Sequence, residues 1–85
     1  MTLDTLKSAN RVIGIKQVTK AVKRKAVAMV FIASDADERV TAELKAVCQE
    51  YSVLTDETVG MQEIGKACNI EVGAAAAAVL KQPIC

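Results

Sequence analysis

The chain has 85 residues, enough for one domain, and we expect residues 1–85 to fold as a single unit. It has no histidine, and its three cysteines, Cys48, Cys68 and Cys85, lack CxxC spacing, so neither a disulfide framework nor a zinc site or other cofactor is expected. The net charge is +1, but residues 1–34 carry seven positive charges and one negative, and residues 35–85 carry four and nine, giving +6 and −5. A basic half of this kind is typical of a protein that binds a polyanion.

Hydropathy predicts a soluble protein. No apolar run approaches the roughly 18 residues needed to span a membrane, and the N-terminus lacks the basic and apolar stretches of a signal peptide. We therefore expect a cytoplasmic monomer without a membrane partner. Only Phe31 and Tyr51 are aromatic, which argues against modules that stack several bases on aromatic side chains.

The first third of the chain predicts a short helix, a strand and a second helix. Leu3, Leu6 and Ala9 indicate an amphipathic helix, and residues 12–14 a brief strand. From Lys16 onward, apolar side chains share one helical face and cations the opposite one. The apolar positions are Val18, Ala21 and Val22, and the cationic ones are Lys16, Lys20, Lys23 and Arg24.

The middle third predicts a buried strand, a helix and a short strand. Residues 26–33 form an apolar run that fits a strand buried on both faces, and residues 34–37 supply candidate caps for a following helix. The predicted apolar stripe of that helix is Val40, Leu44, Val47, Cys48 and Tyr51. Residues 52–54 indicate another strand.

The last third contains a helix and an ambiguous alanine run. Met61, Ile64, Ala67 and Cys68 mark a helix after Gly60, with Glu63 in its first turn. Residues 74–80 have helical propensity, but a buried central strand between packed helices fits equally well. Alternating strands and helices predict a three-layer α/β/α sandwich with a four-stranded mixed sheet.

Two segments together resemble a known family. Residues 14–24 (GIKQVTKAVKR) and residues 64–75 (IGKACNIEVGAA) are similar to motifs of the L7Ae/L30e family of ribosomal and kink-turn-binding proteins, in particular its short bacterial members of the YbxF type. The resemblance extends over essentially the whole chain. It implies the α/β/α sandwich, and it implies that the alanine run is a strand.

The resemblance also implies a partner, RNA rather than DNA, containing a kink-turn: a bulged helix with tandem sheared G·A pairs, as found in ribosomal RNA or a riboswitch. In the archaeal and eukaryotic pattern an Asn-Glu pair follows the glycine, whereas this chain has Lys16 and Gln17 after Gly14. Because Gln17 offers one neutral carbonyl where Glu offers a charged carboxylate, we expect weaker or more selective binding.

The charges of the second helix support this hypothesis. Lys16 and Lys20 lie in its first turns, where the helix dipole disfavours cations, so helix stability alone does not account for them. Gln17 and Lys20 are candidates for guanine edges, and Lys16, Lys23 and Arg24 for phosphates. Gly14 either allows close approach of RNA or simply makes a turn.

A second group of candidates lies in the downstream motif. Ile70, Glu71 and Val72 resemble the family's loop over the unstacked bulge nucleotide, although Ile70 and Val72 could equally anchor the core. Lys66 is a further candidate for the RNA backbone.

Enzymatic activity is not expected. The chain has no histidine, no phosphate-binding glycine loop and no pair of acids on one face. The hypothesis from another class is a protein-interaction or ribosome-assembly accessory that contacts RNA only incidentally.

Overall fold

The computed structural model describes residues 10–81, which alternate strands and helices. The elements are β1 (Arg11–Ile13), α1 (Ile15–Lys23), β2 (Val27–Ile32), α2 (Glu38–Glu50), β3 (Leu54–Asp56), α3 (Met61–Ala67) and β4 (Ala76–Leu80). The helix predicted around Leu3, Leu6 and Ala9 lies outside these residues, as does Cys85.

The strands form one mixed sheet in the order β1-β4-β2-β3. Strands β2 and β3 are parallel, while β4 pairs antiparallel with both β1 and β2. Helices α1 and α2 pack on one face through a core that includes Val22, Val30 and Leu44. Helix α3 packs on the other face, where Phe31 and Ile64 are buried. The predicted α/β/α sandwich with a four-stranded mixed sheet is confirmed.

The alanine run forms the central strand β4, and the helical alternative is wrong. Ala76 and Ala78 face α1 and α2, while Ala77 and Val79 face α3, and all four side chains are buried. Hydrogen bonds to both neighbouring strands and burial on both faces override the helical propensity of alanine. Small side chains let helices approach this strand from either side.

Helices α1, α2 and α3 each end in a Schellman motif with a non-glycine residue in the left-handed conformation. These residues are Lys25 (φ 60°), Ser52 (φ 55°) and Asn69 (φ 60°). At the end of α2, Ser52 donates its amide to Gln49 at 3.2 Å and Val53 donates to Cys48 at 2.8 Å. This cap occupies the beginning of the segment predicted as a strand, so β3 starts at Leu54 instead of Ser52.

The start of α2 is capped as predicted, but its buried stripe differs at one position. Asp37 is the N-cap, and its carboxylate accepts the amide of Arg39 at 2.9 Å. Val40 was predicted to face the core, yet it is 48% exposed. Thr41 is buried instead, and its hydroxyl donates to the carbonyl of Glu38.

Candidate nucleic-acid interface

The start of α1 has the geometry of an anion site. Gly14 adopts φ 98° and ψ 149°, a conformation essentially restricted to glycine, and its carbonyl accepts the amide of Val18 at 2.9 Å. No side chain caps the helix, and its first turn contains no acidic residue. The amides of Ile15–Gln17 precede the first intrahelical hydrogen bond and remain available to an anionic ligand.

Helix α1 divides into an apolar face and a cationic face, as predicted. Val18, Ala21 and Val22 are buried against the sheet and α2. The α1 side chains that the sequence analysis assigned to RNA contact are all exposed: Lys16, Gln17, Lys20, Lys23 and Arg24. Among these, Lys16 and Gln17 lie in the first turn, and Lys20 lies one turn later, on the same side as Lys16.

Residues 70–73 form a loop that is fastened to α3. The amide of Ile70 donates to the carbonyl of Gly65 at 3.0 Å, and Ala74 donates to Met61 at 3.1 Å. Ile70 is half-buried against the core, whereas Val72 is 69% exposed. The sequence allowed both apolar residues either to anchor the core or to face RNA. In the structure Ile70 anchors the loop to the core, whereas Val72 faces outward.

The outer surface of this loop borders a depression next to α3. The depression has a volume of about 290 Å³, and its lining includes Lys66, Glu71 and Val72. Lys66 and Glu71 are both exposed there. A cation, an acid and an exposed apolar side chain are thus available within one small concave surface.

The start of α1 and the 70–73 loop lie at the same end of the sheet. The amide of Gly14 donates to the carbonyl of Ala76 at 2.9 Å, at the beginning of β4, which the loop leads into. Because α1 packs on one face of the sheet and α3 on the other, residues from both faces meet at this end.

Lys23 and Arg24 lie at the opposite end of α1. They form its last turn and C-cap, and the amide of Lys81, just after β4, donates to Ala26 at 2.8 Å. Since β4 begins beside Gly14 and ends near Ala26, these two cations are separated from the loop by the length of the strand. The structure therefore brings Gly14, Lys16 and Gln17 to the loop's end of the sheet, but not Lys23 and Arg24.

Asp35 helps to build this end of the sheet in a way that the sequence analysis did not predict. It was considered as a cap for α2, but its carboxylate accepts the amide of Met61 at 2.8 Å and so caps α3. Asp35 also borders a depression of about 400 Å³ that Lys66 and Gly73 line. Only a tertiary contact links Asp35 to α3, so local sequence patterns carry no signal for it.

Cys48 and Cys68 are buried thiols. Burial raises the pKa of the Cys48 thiol, and the nearby Glu57 raises it further. Burial also raises the pKa of Cys68, while Arg11 opposes this shift. The Arg11 guanidinium donates to the carbonyl of Cys68 at 2.8 Å, joining β1 to the end of α3.

Across residues 10–81, no helix has both the length and the apolar character required to cross a membrane. Within the same part of the chain, no three His, Cys, Asp or Glu side chains are grouped so that they could hold a metal ion.

Comparisons with known proteins agree on one family. The model of the ribosomal protein L7Ae/L30e/S12e/Gadd45 family matches residues 2–83. A protein of Bacillus pumilus named RNA-binding protein is 42% identical over 81 residues, covering 94% of this chain and 99% of the relative. RNA-binding protein YbxF of Geobacillus stearothermophilus is 38% identical over 76 residues, covering 89% and 93% respectively.

Solved structures share the fold over nearly the whole chain. The 15.5kD RNA binding protein of Giardia lamblia superimposes with a TM-score of 0.84 at 28% identity, covering 94% of this chain and 71% of that one. A Bacillus halodurans protein described as having unknown function superimposes with a TM-score of 0.83 at 25% identity, covering 93% and 83%. With its fold and nearly its whole length matched, this chain belongs to the ribosomal protein L7Ae/L30e/S12e/Gadd45 family.

Proposed function

We propose that this protein is a non-catalytic, monomeric, cytoplasmic RNA-binding protein that recognises and stabilises kink-turns. The observation that carries the proposal is the uncapped, acid-free start of α1, which the Gly14–Ala76 hydrogen bond places at the same end of the sheet as the 70–73 loop. Family membership and the relatives named for RNA binding support it. Its cellular target would be ribosomal RNA or a riboswitch, with ribosome association as the simplest setting.

The start of α1 would supply both affinity and selectivity. Lys16 and the free amides of the first turn would bind phosphate, which draws RNA in without sequence choice. Gln17 and Lys20 would address guanine edges, since the amide carbonyl accepts from guanine N–H groups and the ammonium donates to O6. Gly14 would leave room for RNA to approach the backbone, since the space where a Cβ would lie has no neighbouring side chain or backbone within 4 Å.

The 70–73 loop would complete the site. Val72, exposed on a loop whose base is fixed by Ile70, is suited to cover an unstacked base. Glu71 would repel phosphate, so its role would be a hydrogen bond to a base or ribose. Lys66, on the same depression, would contact the RNA backbone.

The mechanism would be a shift of the RNA conformational equilibrium. A protein surface that is already assembled binds the kinked RNA better than the extended form, and the kinked population rises by that difference in affinity. The hydrogen bonds that fix Gly14 to Ala76 and Ile70 to Gly65 would hold the two halves of this surface in place before RNA binds.

The acidic, exposed side of α2 favours a second candidate, a protein-interaction or ribosome-assembly accessory. Glu38, Glu43 and Glu50 are all exposed on this helix, together with the partly apolar surface at Val40. In that case a basic protein would bind α2, and RNA contact along α1 would be incidental.

Titration of a kink-turn RNA and a plain duplex across a salt series separates the two candidates. Motif recognition predicts a strong preference for the kink-turn that persists at raised salt, whereas an incidental basic patch predicts similar affinities that fall together. Lys20→Ala and Gln17→Ala should each weaken kink-turn binding about tenfold or more, because a good base contact contributes about 1–3 kcal/mol of discrimination.

Lys45→Ala is the matched control, since Lys45 lies on α2, away from the proposed site, where it pairs with Glu57 from the segment after β3. It should leave the kink-turn preference unchanged. Equal losses on kink-turn and duplex for Lys20→Ala and Gln17→Ala would refute the assignment of these side chains to base edges.

A further inference from the structure

Another concave surface lies at the end of the sheet opposite to the 70–73 loop. It has a volume of about 660 Å³ and is lined by the ends of α1 and α2, by β2 and β3, and by the residue that follows β4. The side chains that give it chemical character are Lys25, Tyr51 and Lys81, with Glu50 and Leu54 at its margin. Leu54 is 71% exposed. We call this surface the distal cleft.

The two lysines of the distal cleft are fixed by backbone hydrogen bonds. Lys25 occupies the left-handed position of the Schellman motif that ends α1, with its amide donating to Val22 at 2.9 Å. The amide of Lys81 donates to Ala26, the residue after Lys25. The backbone therefore holds Lys25 and Lys81 side by side. A glycine would avoid the strain at position 25, so helix termination alone does not favour lysine there.

The distal cleft carries more positive than negative charge, because Lys25 and Lys81 line it together with one acid, Glu50. Among residues 10–81, the ion pairs join Arg39 to Asp37 and Lys45 to Glu57, so neither Lys25 nor Lys81 is paired with Glu50. Lys23 and Arg24 lie on the adjoining end of α1 and add two further cations. An anionic ligand is the chemistry that this cluster favours.

The aromatic ring of the distal cleft adds a stacking surface. The chain has one phenylalanine and one tyrosine. Phe31 is fully buried, whereas Tyr51 packs partly against the core and partly lines the cleft. A partly exposed tyrosine beside two lysines that form no ion pair combines an aromatic ring with phosphate-binding groups, a combination common in sites for single-stranded nucleic acid.

We propose that the distal cleft is a second RNA-binding site, which holds a single-stranded nucleotide with its base against Tyr51 and its phosphates against Lys25 and Lys81. The inference extends the proposed function, because the same RNA would reach this site along α1. Nine helical residues span about 14 Å, and Lys20, Lys23 and Arg24 lie exposed along that path. Roughly four stacked nucleotides cover this distance at about 3.4 Å each.

The test compares a blunt kink-turn RNA with the same RNA carrying a six-uridine tail on one strand or on the other. Wild-type protein should bind one tailed RNA at least about tenfold tighter than the blunt RNA, from stacking and added phosphate contacts. Lys25→Ala/Lys81→Ala should abolish this gain, keep the blunt affinity within about twofold, and lower the salt slope on that tailed RNA by about 1.4.

Two variants of Tyr51 and one control variant test the roles of these side chains. Tyr51→Leu should lose most of the gain from the tail, and Tyr51→Phe should keep it, because phenylalanine retains the ring. Arg39→Ala/Lys45→Ala removes two cations away from the distal cleft and should retain the gain. Circular dichroism and urea unfolding verify that each variant is folded.

The proposal is overturned if neither tail tightens wild-type binding, if the Lys25/Lys81 variant keeps the gain, or if it weakens blunt and tailed RNA equally. Failure of the proposed kink-turn recognition would be a different result, namely equal wild-type affinity for the blunt kink-turn and a blunt duplex. The tail-dependent gain is measured separately, as a ratio between two RNAs that share the same kink-turn.

Discussion

Gly65 lies where α3 contacts the 70–73 loop, and Gly65→Ala tests whether this contact positions the loop. A Cβ at Gly65 would overlap the carbonyl oxygen of Val72 and would lie 3.2 Å from the Cα of Gly73. Both neighbours are backbone atoms, so no side-chain rotation relieves the overlap. The loop itself has to move.

Two opposing terms set the size of the effect. Alanine is favoured over glycine inside a helix by about 1 kcal/mol, while overpacking against backbone costs about 1–3 kcal/mol. We therefore expect the free energy of unfolding of Gly65→Ala to fall by about 1 kcal/mol. The displaced loop should reduce kink-turn affinity by about tenfold, the loss expected when an apolar contact with one unstacked base is removed.

Urea unfolding and RNA titration measure the two effects. Gly60→Ala is the control at the start of α3, because its new Cβ would lie 3.3 Å from the Asp35 carboxylate instead of backbone. Since that carboxylate caps α3, the control should lower the free energy of unfolding by no more than about 1 kcal/mol, and it should leave kink-turn affinity unchanged. If Gly65→Ala instead stabilises the protein by about 1 kcal/mol and binds the kink-turn normally, α3 does not hold the loop in its binding position.

Four other predictions follow from local geometry. Asp35→Ala should lower the free energy of unfolding in urea by about 1 kcal/mol, while Asp35→Asn keeps a cap acceptor and most of the stability. Gly14→Ala should cost about 1–3 kcal/mol through backbone strain alone, and an unchanged melting temperature would contradict this. Ser52→Gly should gain up to about 1 kcal/mol by removing left-handed strain, whereas Ser52→Ala should not. Hydrogen bonds from the Thr58 hydroxyl and amide lower the pKa of Asp56, so their stabilisation is complete above about pH 4 and disappears as pH falls through the lowered pKa; Thr58→Val removes only the hydroxyl and should reduce, without abolishing, the change in urea stability between pH 5 and 2.

The sequence was sufficient to predict the helices and strands in which the pattern of apolar residues matches the side chains that are buried in the structure. The spacing of Val18, Ala21 and Val22 gives both α1 and its exposed cations, and the apolar run around β2 gives a strand buried on both faces. Strand β4 is different, because alanine favours a helix locally. Only the resemblance to the family favoured a strand over that propensity.

The features that the sequence could not predict depend on contacts between distant residues. The cap that Asp35 provides to α3 joins residues 26 positions apart, and the Arg11–Cys68 hydrogen bond joins residues 57 apart. Likewise, hydropathy treats Ile70 and Val72 alike, whereas the attachment of Ile70 to Gly65 buries one side chain and exposes the other.

The alanines of β4 link the stability of this protein to the shape of its proposed RNA-binding surface. Ala76 and Ala78 support one layer and Ala77 the other, and the carbonyl of Ala76 also holds Gly14 at the start of α1. A larger side chain at any of these positions would push the helices packed on that face away from the sheet. The part of the proposed RNA-binding surface that those helices position would move with them. Selection on this strand therefore cannot adjust folding and recognition independently, and few substitutions there should be neutral for both.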